Sequence, residues 1–295
     1  MLKFRLIKDR LSAWAFPASA VFVLLITGAV GAGLYFKSLP VLKNISISEI
    51  ILNDQWKPFR KSFGLLPFIA GTLEIVVVAA ILVFPVSLLT ALYISEFAPK
   101  AIRKIVIPVI DVLSGIPPII YGVWGVLVIV PLVRDVLSVR FVEYASGYSL
   151  LSGGIVLGIM ILPMVLGILL EVFRTVPQEL RDSSLSVGAT DWQTVKFVLL
   201  KKGRSGIIAA FVLGISRALG ETIAVLMVCG NVPQIPHSLF DSCYPLPALI
   251  ANNYGEMLSQ PLYESALMFS ALILFIIILI FNTASRLVLI RLEKN

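Results

Sequence analysis

The sequence predicts an all-α polytopic membrane protein with six transmembrane helices, and two observations carry that prediction. The chain has 295 residues, of which 58% are hydrophobic and only 14% charged, with a mean hydropathy of +0.98. A soluble domain needs more polar surface than this. Six apolar runs are each near or above the roughly 20 residues that a spanning helix requires. They cover residues 13–36, 67–95, 105–131, 151–172, 205–229 and 263–285.

The distribution of lysine and arginine predicts that both termini are cytoplasmic. Basic residues concentrate before the first run, between runs two and three, between runs four and five, and after the sixth. Segments rich in lysine and arginine favour the cytoplasmic side of the membrane. This preference explains the net charge of +7 without a nucleic-acid partner. Basic residues within 37–66 weaken the bias locally. The first run continues past Ala18-Ser19-Ala20 and is too long for a signal peptide, so we expect an uncleaved first helix.

Two features before the third run each leave two interpretations open. The segment 37–66 is the longest polar stretch on the extracytoplasmic side, and it forms either a small cap or a plain connecting loop. Glu74 lies early in the second run, where a carboxylate is costly against lipid. It therefore faces either the helix bundle or the outer interface.

The third run is interrupted by the adjacent residues Pro117 and Pro118. Proline removes a backbone donor and clashes with the preceding turn. A broken helix is tolerated at membrane depth where it is buried in protein or lines a water-filled cavity, and it often marks the path of a transporter's substrate. We favour a path over a simple packing kink. Asp111, just before the break, is expected to face another helix or the cytoplasmic interface.

The fifth run contains two charged residues within one predicted helical stripe. The stripe consists of Ala210, Gly214, Arg217, Glu221 and Ala224, spaced by three and four residues. Charges at this depth are costly, so we expect Arg217 and Glu221 to pair and to serve a function. An arginine presents a planar fork of donors that suits an oxyanion. The alternative is a structural ion pair with another helix, for example through Glu74.

Three further features of the sequence bear on local structure. Glu171 and Arg174 lie three residues apart, on one helix face, and Pro177 is typical of a helix start. Cys229 and Cys243 could close a disulfide if their side is oxidising, or Cys229 is a buried residue at a helix end; we favour the buried residue. His237 has no metal-ligand spacing near it and is given no role, and no metal site is predicted.

Residues 182–201 read DSSLSVGATDWQTVKFVLLK, a polar stretch between two apolar runs. We expect a short helical hairpin at the cytoplasmic face, where a partner docks. The stretch resembles the cytoplasmic loop of ABC importer permeases, whose pattern is E-A-A, three residues, G, nine residues, I, one residue, L-P. The spacing is kept, although Asp182-Ser183-Ser184 replaces E-A-A and Lys201 replaces the proline.

That resemblance implies that the hairpin docks into a cleft of an ATPase subunit. Gly188 would permit the tight turn between the two helices. Trp192, Val195 and either Val198 or Leu199 would offer an apolar face for burial in the partner. The residues assigned to coupling are Asp182, Ser183, Ser184, Gly188, Ala189, Trp192, Val198 and Leu200.

Two more stretches, SGIPPIIYGVWG (114–125) and SRALGETIAVLMVCGN (216–231), resemble phosphate-specific (Pst) permeases, particularly their PstC-type subunit. The resemblance covers about residues 67–288. It implies the MetI-like fold of a type I importer in a prokaryotic cytoplasmic membrane. The implied partners are a PstA-like second permease, a PstB-like ATPase dimer that binds ATP and magnesium, and a PstS-like phosphate-binding protein. The residues assigned to the substrate pathway are Arg217, Glu221, Ser216, Thr222, Glu74 and Tyr121.

The sequence has no G-x-x-x-x-G-K-[ST] phosphate cradle and no recognisable arrangement of nucleophile and base. We therefore expect a transport subunit without an ATPase site of its own. The alternatives are a permease for another oxyanion or small solute, and an ATP-independent transporter. The expected organisation is a first helix and extracytoplasmic loop (1–66), a permease core (67–288) with the coupling loop 174–204, and a cytoplasmic tail (289–295).

Overall fold

A computed structural model describes residues 2–142, 144–255 and 260–293, which form a bundle of helices. The helices are α1 (Leu2–Asn44), α2 (Ile47–Leu52), α3 (Leu66–Phe97), α4 (Lys100–Ser114), α5 (Pro118–Leu137), α6 (Leu150–Arg174), α7 (Gln178–Ser186), α8 (191–202), α9 (Arg204–Leu219), α10 (Ile223–Val228), α11 (Leu246–Asn253) and α12 (Pro261–Glu293). Two short antiparallel strands, β1 (Trp56–Lys57) and β2 (Ser62–Phe63), lie between α2 and α3.

Five helices in the described part of the chain are long and apolar enough to cross a membrane. They are Ala13–Asn44 within α1, α3, α5, α6 and Pro261–Arg291 within α12. They correspond to five of the six predicted spans. The third predicted span begins at Pro118 instead of residue 105. The helix is interrupted there, because α4 ends at Ser114 and α5 starts at the second of the two prolines.

The predicted fifth span is not one continuous helix, so the prediction of a single stripe from Ala210 to Ala224 is wrong. Helix α9 ends at Leu219 and α10 begins at Ile223. Gly220 is a poor helix former, and it lies where the break begins. A carboxylate oxygen of Glu221 then accepts a hydrogen bond from the Ala224 amide at 3.3 Å, which satisfies a free amide at the start of α10.

Helix α6 is the central helix of the bundle, and glycines allow its neighbours to approach it closely. Gly158 of α6 faces Val83 of α3, and a β-carbon added to Gly158 would lie 3.0 Å from the Val83 side chain. A β-carbon added to Gly214 of α9 would lie 2.6 Å from Val165 of α6. Small residues at these crossings let backbones pack closely, as is common between membrane helices.

Helix α4 lies against α6 through Val106 and Ile110, and most of its other side chains are exposed. Across the break between α4 and α5, the Tyr121 hydroxyl donates a hydrogen bond to the Leu113 carbonyl at 2.8 Å. This hydrogen bond links α4 and α5 across the break.

Residues 45–65 form a small folded cap, which decides between the two interpretations of the segment 37–66. Helix α1 extends to Asn44, and α2 and the β1–β2 hairpin follow. The ring of Trp56 packs against Phe63, Phe68 and Tyr263, with ring centroids 5.2 to 5.9 Å apart. The cap therefore rests on α3 and α12, and we call this the loop end of the bundle. The opposite end, where α7 and α8 lie, is the hairpin end.

The predicted tail 289–295 continues α12 without interruption as far as Glu293. Residues 294 and 295 lie outside the described residues. The cytoplasmic location of the hairpin end stays a prediction.

Candidate functional site

Arg217 lies in the last turn of α9, where the fifth predicted span breaks. Its side chain is exposed, and within the described residues it has no hydrogen-bond or ion-pair partner. The predicted pair with Glu221 is therefore wrong, because the break directs that carboxylate to the start of α10. The alternative pair with Glu74 is not formed either.

The surroundings of Arg217 leave its donors free. Leu213 and Ile223, on the two sides of the break, are 47% and 48% exposed, so this chain does not cover this face. A cation at the carboxyl end of a helix is favoured by the helix dipole. An uncovered guanidinium with unused donors can bind an oxyanion through two parallel hydrogen bonds.

Ser216 and Thr222 lie on the two sides of the break, and each forms hydrogen bonds there. The Ser216 hydroxyl lies 2.6 Å from the side-chain oxygen of Asn282 and 2.9 Å from the Val212 carbonyl, and so connects α9 to α12. The Thr222 hydroxyl donates to the Gly220 carbonyl at 3.4 Å. Sequence reasoning missed the contact with Asn282. The sequence indicates it only through the presence of a polar residue in the last apolar run.

Among the described residues, the two other predicted pathway residues form no hydrogen bond or ion pair with Arg217. Glu74 is half-buried on α3. Tyr121 is 8% exposed, and its hydroxyl is hydrogen-bonded to the Leu113 carbonyl. Glu221 borders a cavity of about 10 Å³, which is about the space of one water.

Cys229 and Cys243 are fully buried, free and adjacent. The Cys243 amide donates to the Cys229 carbonyl at 3.0 Å. Directly after Cys229, Gly230 and Asn231 have φ angles of +84° and +54°. These two residues form a left-handed turn at the end of the stretch 216–231, and the Asn231 side-chain amide donates to the Leu226 carbonyl at 2.8 Å.

The predicted helical hairpin is confirmed at α7 and α8, and it begins at Gln178, just after Pro177. Gly188 lies between the helices with a φ of +83°, a conformation that favours glycine. The Ser184 and Thr194 hydroxyls lie 3.0 Å apart and join the two helices. Thr190 caps α8 through a capping box with Gln193.

The hairpin exposes a different apolar surface from the predicted one. Val195 and Leu199 are 1% and 0% exposed and pack inside this chain, with Phe173 and Val176 among the same core residues, so their predicted burial in a partner is wrong. Trp192 is 57% exposed, as predicted. The remaining coupling residues are exposed at Asp182, Ser183 and Gly188 and half-buried at Ser184, Ala189, Val198 and Leu200.

A cleft of about 830 Å³ opens beside the hairpin, between α3, α4, α6 and α7. Asp111 lines it, and so do Glu171 and Arg174, which form the predicted same-face pair at 3.5 Å. At one wall, Arg181 of α7 forms an ion pair of 3.2 Å with Glu96 of α3. Sequence reasoning missed this pair, because its partners are 85 residues apart.

Comparison with known proteins identifies the family. Residues 84–294 match the model of the binding-protein-dependent transport system inner membrane component. The PstC phosphate transport system permease protein of Pasteurella multocida is 35% identical over 290 residues, which cover 94% of this chain and 90% of that protein. A probable PstC phosphate transport system permease protein of Methanocaldococcus jannaschii is 34% identical over 279 residues, covering 89% of this chain and 88% of that protein.

Solved structures show the same fold. A bacterial alginate ABC transporter chain matches with a TM-score of 0.62 at 18% identity, over 95% of this chain and 94% of that chain. A chain of the MetNI methionine ABC transporter matches with a TM-score of 0.60 at 17% identity, over 81% of this chain and 99% of that chain. The predicted all-α polytopic membrane fold of the MetI-like permease kind and the resemblance to PstC-type permeases are confirmed, whereas the count of six spans and the cytoplasmic termini stay predictions. The chain belongs to the family of binding-protein-dependent transport system inner membrane components, and it is a multi-pass protein of the inner membrane.

Proposed function

We propose that this chain is a permease subunit of an ATP-driven importer of inorganic phosphate. The observation that carries the proposal is Arg217, an arginine with free donors at a helix break in the membrane domain. Relatives at 35% and 34% identity are phosphate transport permeases by name, which supports phosphate as the oxyanion.

The translocation path lies along the face that Arg217 shares with Leu213 and Ile223, which this chain leaves uncovered. A second permease subunit of the PstA-like kind covers that face and completes the path. Glu221 is held by the start of α10 and does not neutralise Arg217, so the guanidinium is available to attract a passing anion.

The remaining partners dock at the two ends of the bundle. A PstB-like ATPase dimer, which binds ATP and magnesium, receives the hairpin end through the exposed Trp192 and its neighbours Leu185 and Val187. A PstS-like binding protein delivers phosphate at the loop end. ATP-driven closure of the ATPase moves the hairpin, and the membrane helices then alternate between outward and inward access.

The test is uptake into proteoliposomes that hold this chain with its partner permease and ATPase, with binding protein outside and ATP inside. We expect uptake of labelled phosphate that requires ATP and that excess sulfate or molybdate does not inhibit. Uptake of another oxyanion in place of phosphate would overturn the substrate. Uptake by this chain alone without ATP would overturn the importer mechanism.

A further inference from the structure

The side chain of Arg181 joins three segments at the hairpin end. Its guanidinium donates to the carbonyls of Phe173 and Val176, at 2.8 and 2.7 Å, where α6 ends and the hairpin begins. It also donates to both carboxylate oxygens of Glu96, at 3.2 and 3.3 Å. A weaker bond at 3.4 Å reaches Gln178 in its own helix.

This arrangement is largely shielded from water. The side chains of Arg181 and Glu96 are 12% and 16% exposed, whereas those of Arg174 and Glu171, paired nearby, are 81% and 69% exposed. A shielded charge pair is less screened by salt and solvent than an exposed one. The Ser95 hydroxyl donates to the same carboxylate at 2.8 Å and fixes its orientation.

The pair has a particular position in the bundle. Glu96 lies in a π-helical turn, Tyr93–Phe97, that ends α3. The hairpin packs onto α6 through Val195 and Leu199. Over the described residues, Arg181 to Glu96 is the one hydrogen-bonded connection between the hairpin helices and α3.

We propose that Arg181 and Glu96 are positioning residues that transmit movement of the hairpin to α3 as well as to α6. Resting on the proposed function, this inference takes the hairpin as the place where the ATPase docks. Helix α3 packs against both α6 and α9, so a displacement that reaches α3 also reaches the helix that carries Arg217. Without the pair, the hairpin would move α6 and leave the end of α3 behind.

The experiment uses the complete reconstituted complex and compares Arg181→Met and Glu96→Gln with wild type. Each variant removes the charge pair while keeping an unbranched side chain of similar length. We expect the ATPase to co-purify normally, and phosphate transported per ATP hydrolysed to fall roughly tenfold, as typical coupling energies imply. The matched control is Arg174→Met, which breaks the exposed pair with Glu171 and should leave the ratio unchanged.

Normal coupling in both variants would overturn the proposal. If Arg181→Met fails to bind the ATPase, the test rests on Glu96→Gln, because Glu96 lies outside the hairpin. A wild-type ratio of phosphate transported to ATP hydrolysed in Glu96→Gln would again overturn the proposal. If the wild-type complex transports no phosphate, the proposed function fails. The inference about Arg181 and Glu96 is then tested separately, by the distance between two spin labels. Labels on cysteines introduced at the exposed Leu89 and Ser186 should show a broader distance distribution in Glu96→Gln, and an unchanged distribution would overturn the inference.

Discussion

At the scale of single residues, Gly214 lies at a close crossing of α9 and α6. A β-carbon there would lie 2.6 Å from the Val165 side chain, so Gly214→Ala forces the two helices apart. Overpacking of this kind costs about 1–3 kcal/mol, and we expect a lower Tm for the purified complex. Gly167→Ala is the control, because no atom lies within 4 Å of a β-carbon added to Gly167. A Tm that falls equally in both variants would contradict this account.

The two cysteines give a second test at this scale. Cys229 and Cys243 are free and fully buried. Protein purified without reductant and then denatured should therefore give two free thiols per chain, while the native protein should react slowly with a maleimide. A count of zero would show that the pair is a disulfide.

Sequence reasoning identified Arg217 from the cost of a charge within an apolar run, and this needed no knowledge of the fold. It paired Arg217 with Glu221 wrongly, because it assumed one continuous helix across Gly220. The glycine was the available signal, since glycine is common where helices end. The ion pair of Arg181 with Glu96 had no such signal, because only the folded bundle brings two residues so distant in sequence together.

At the scale of elements, the turn of the hairpin depends on Gly188. Its φ of +83° is unfavourable for other residues, but asparagine tolerates it better than most. We expect Gly188→Trp to prevent co-purification of the ATPase while the chain stays in the membrane, since the bulky side chain both strains the turn and projects from the docking surface. Gly188→Asn should retain the ATPase. Normal co-purification with Gly188→Trp would show that the ATPase docks elsewhere.

The hairpin also shows where sequence patterns reach their limit. The motif spacing predicted its position and its glycine turn. It did not distinguish the apolar side chains that pack on the hairpin's own bundle, Val195 and Leu199, from the exposed Trp192. Both kinds of residue are apolar in the sequence, and only the packing of α8 against the end of α6 separates them.

At the scale of the whole molecule, apolar runs predicted the membrane fold because each spanning helix must satisfy its own backbone hydrogen bonds. Helix ends were predicted less well. The first helix runs to Asn44, the third span starts at Pro118, and the fifth consists of two short helices. These differences arise where proline, glycine and polar side chains redirect the chain, and their effect depends on neighbours that the sequence does not place.

The central claim is that phosphate passes Arg217 in an ATP-driven complex. The most direct measurement compares ATP-dependent phosphate uptake by proteoliposomes with wild type, Arg217→Gln and the control Arg286→Gln, an exposed arginine on α12. We expect uptake to fall at least roughly tenfold in Arg217→Gln alone, because a charge-assisted hydrogen bond contributes about 1.5–3 kcal/mol. The Arg217→Gln complex should still assemble with its ATPase. Wild-type uptake by that assembled variant would contradict the account and leave Arg217 a structural residue.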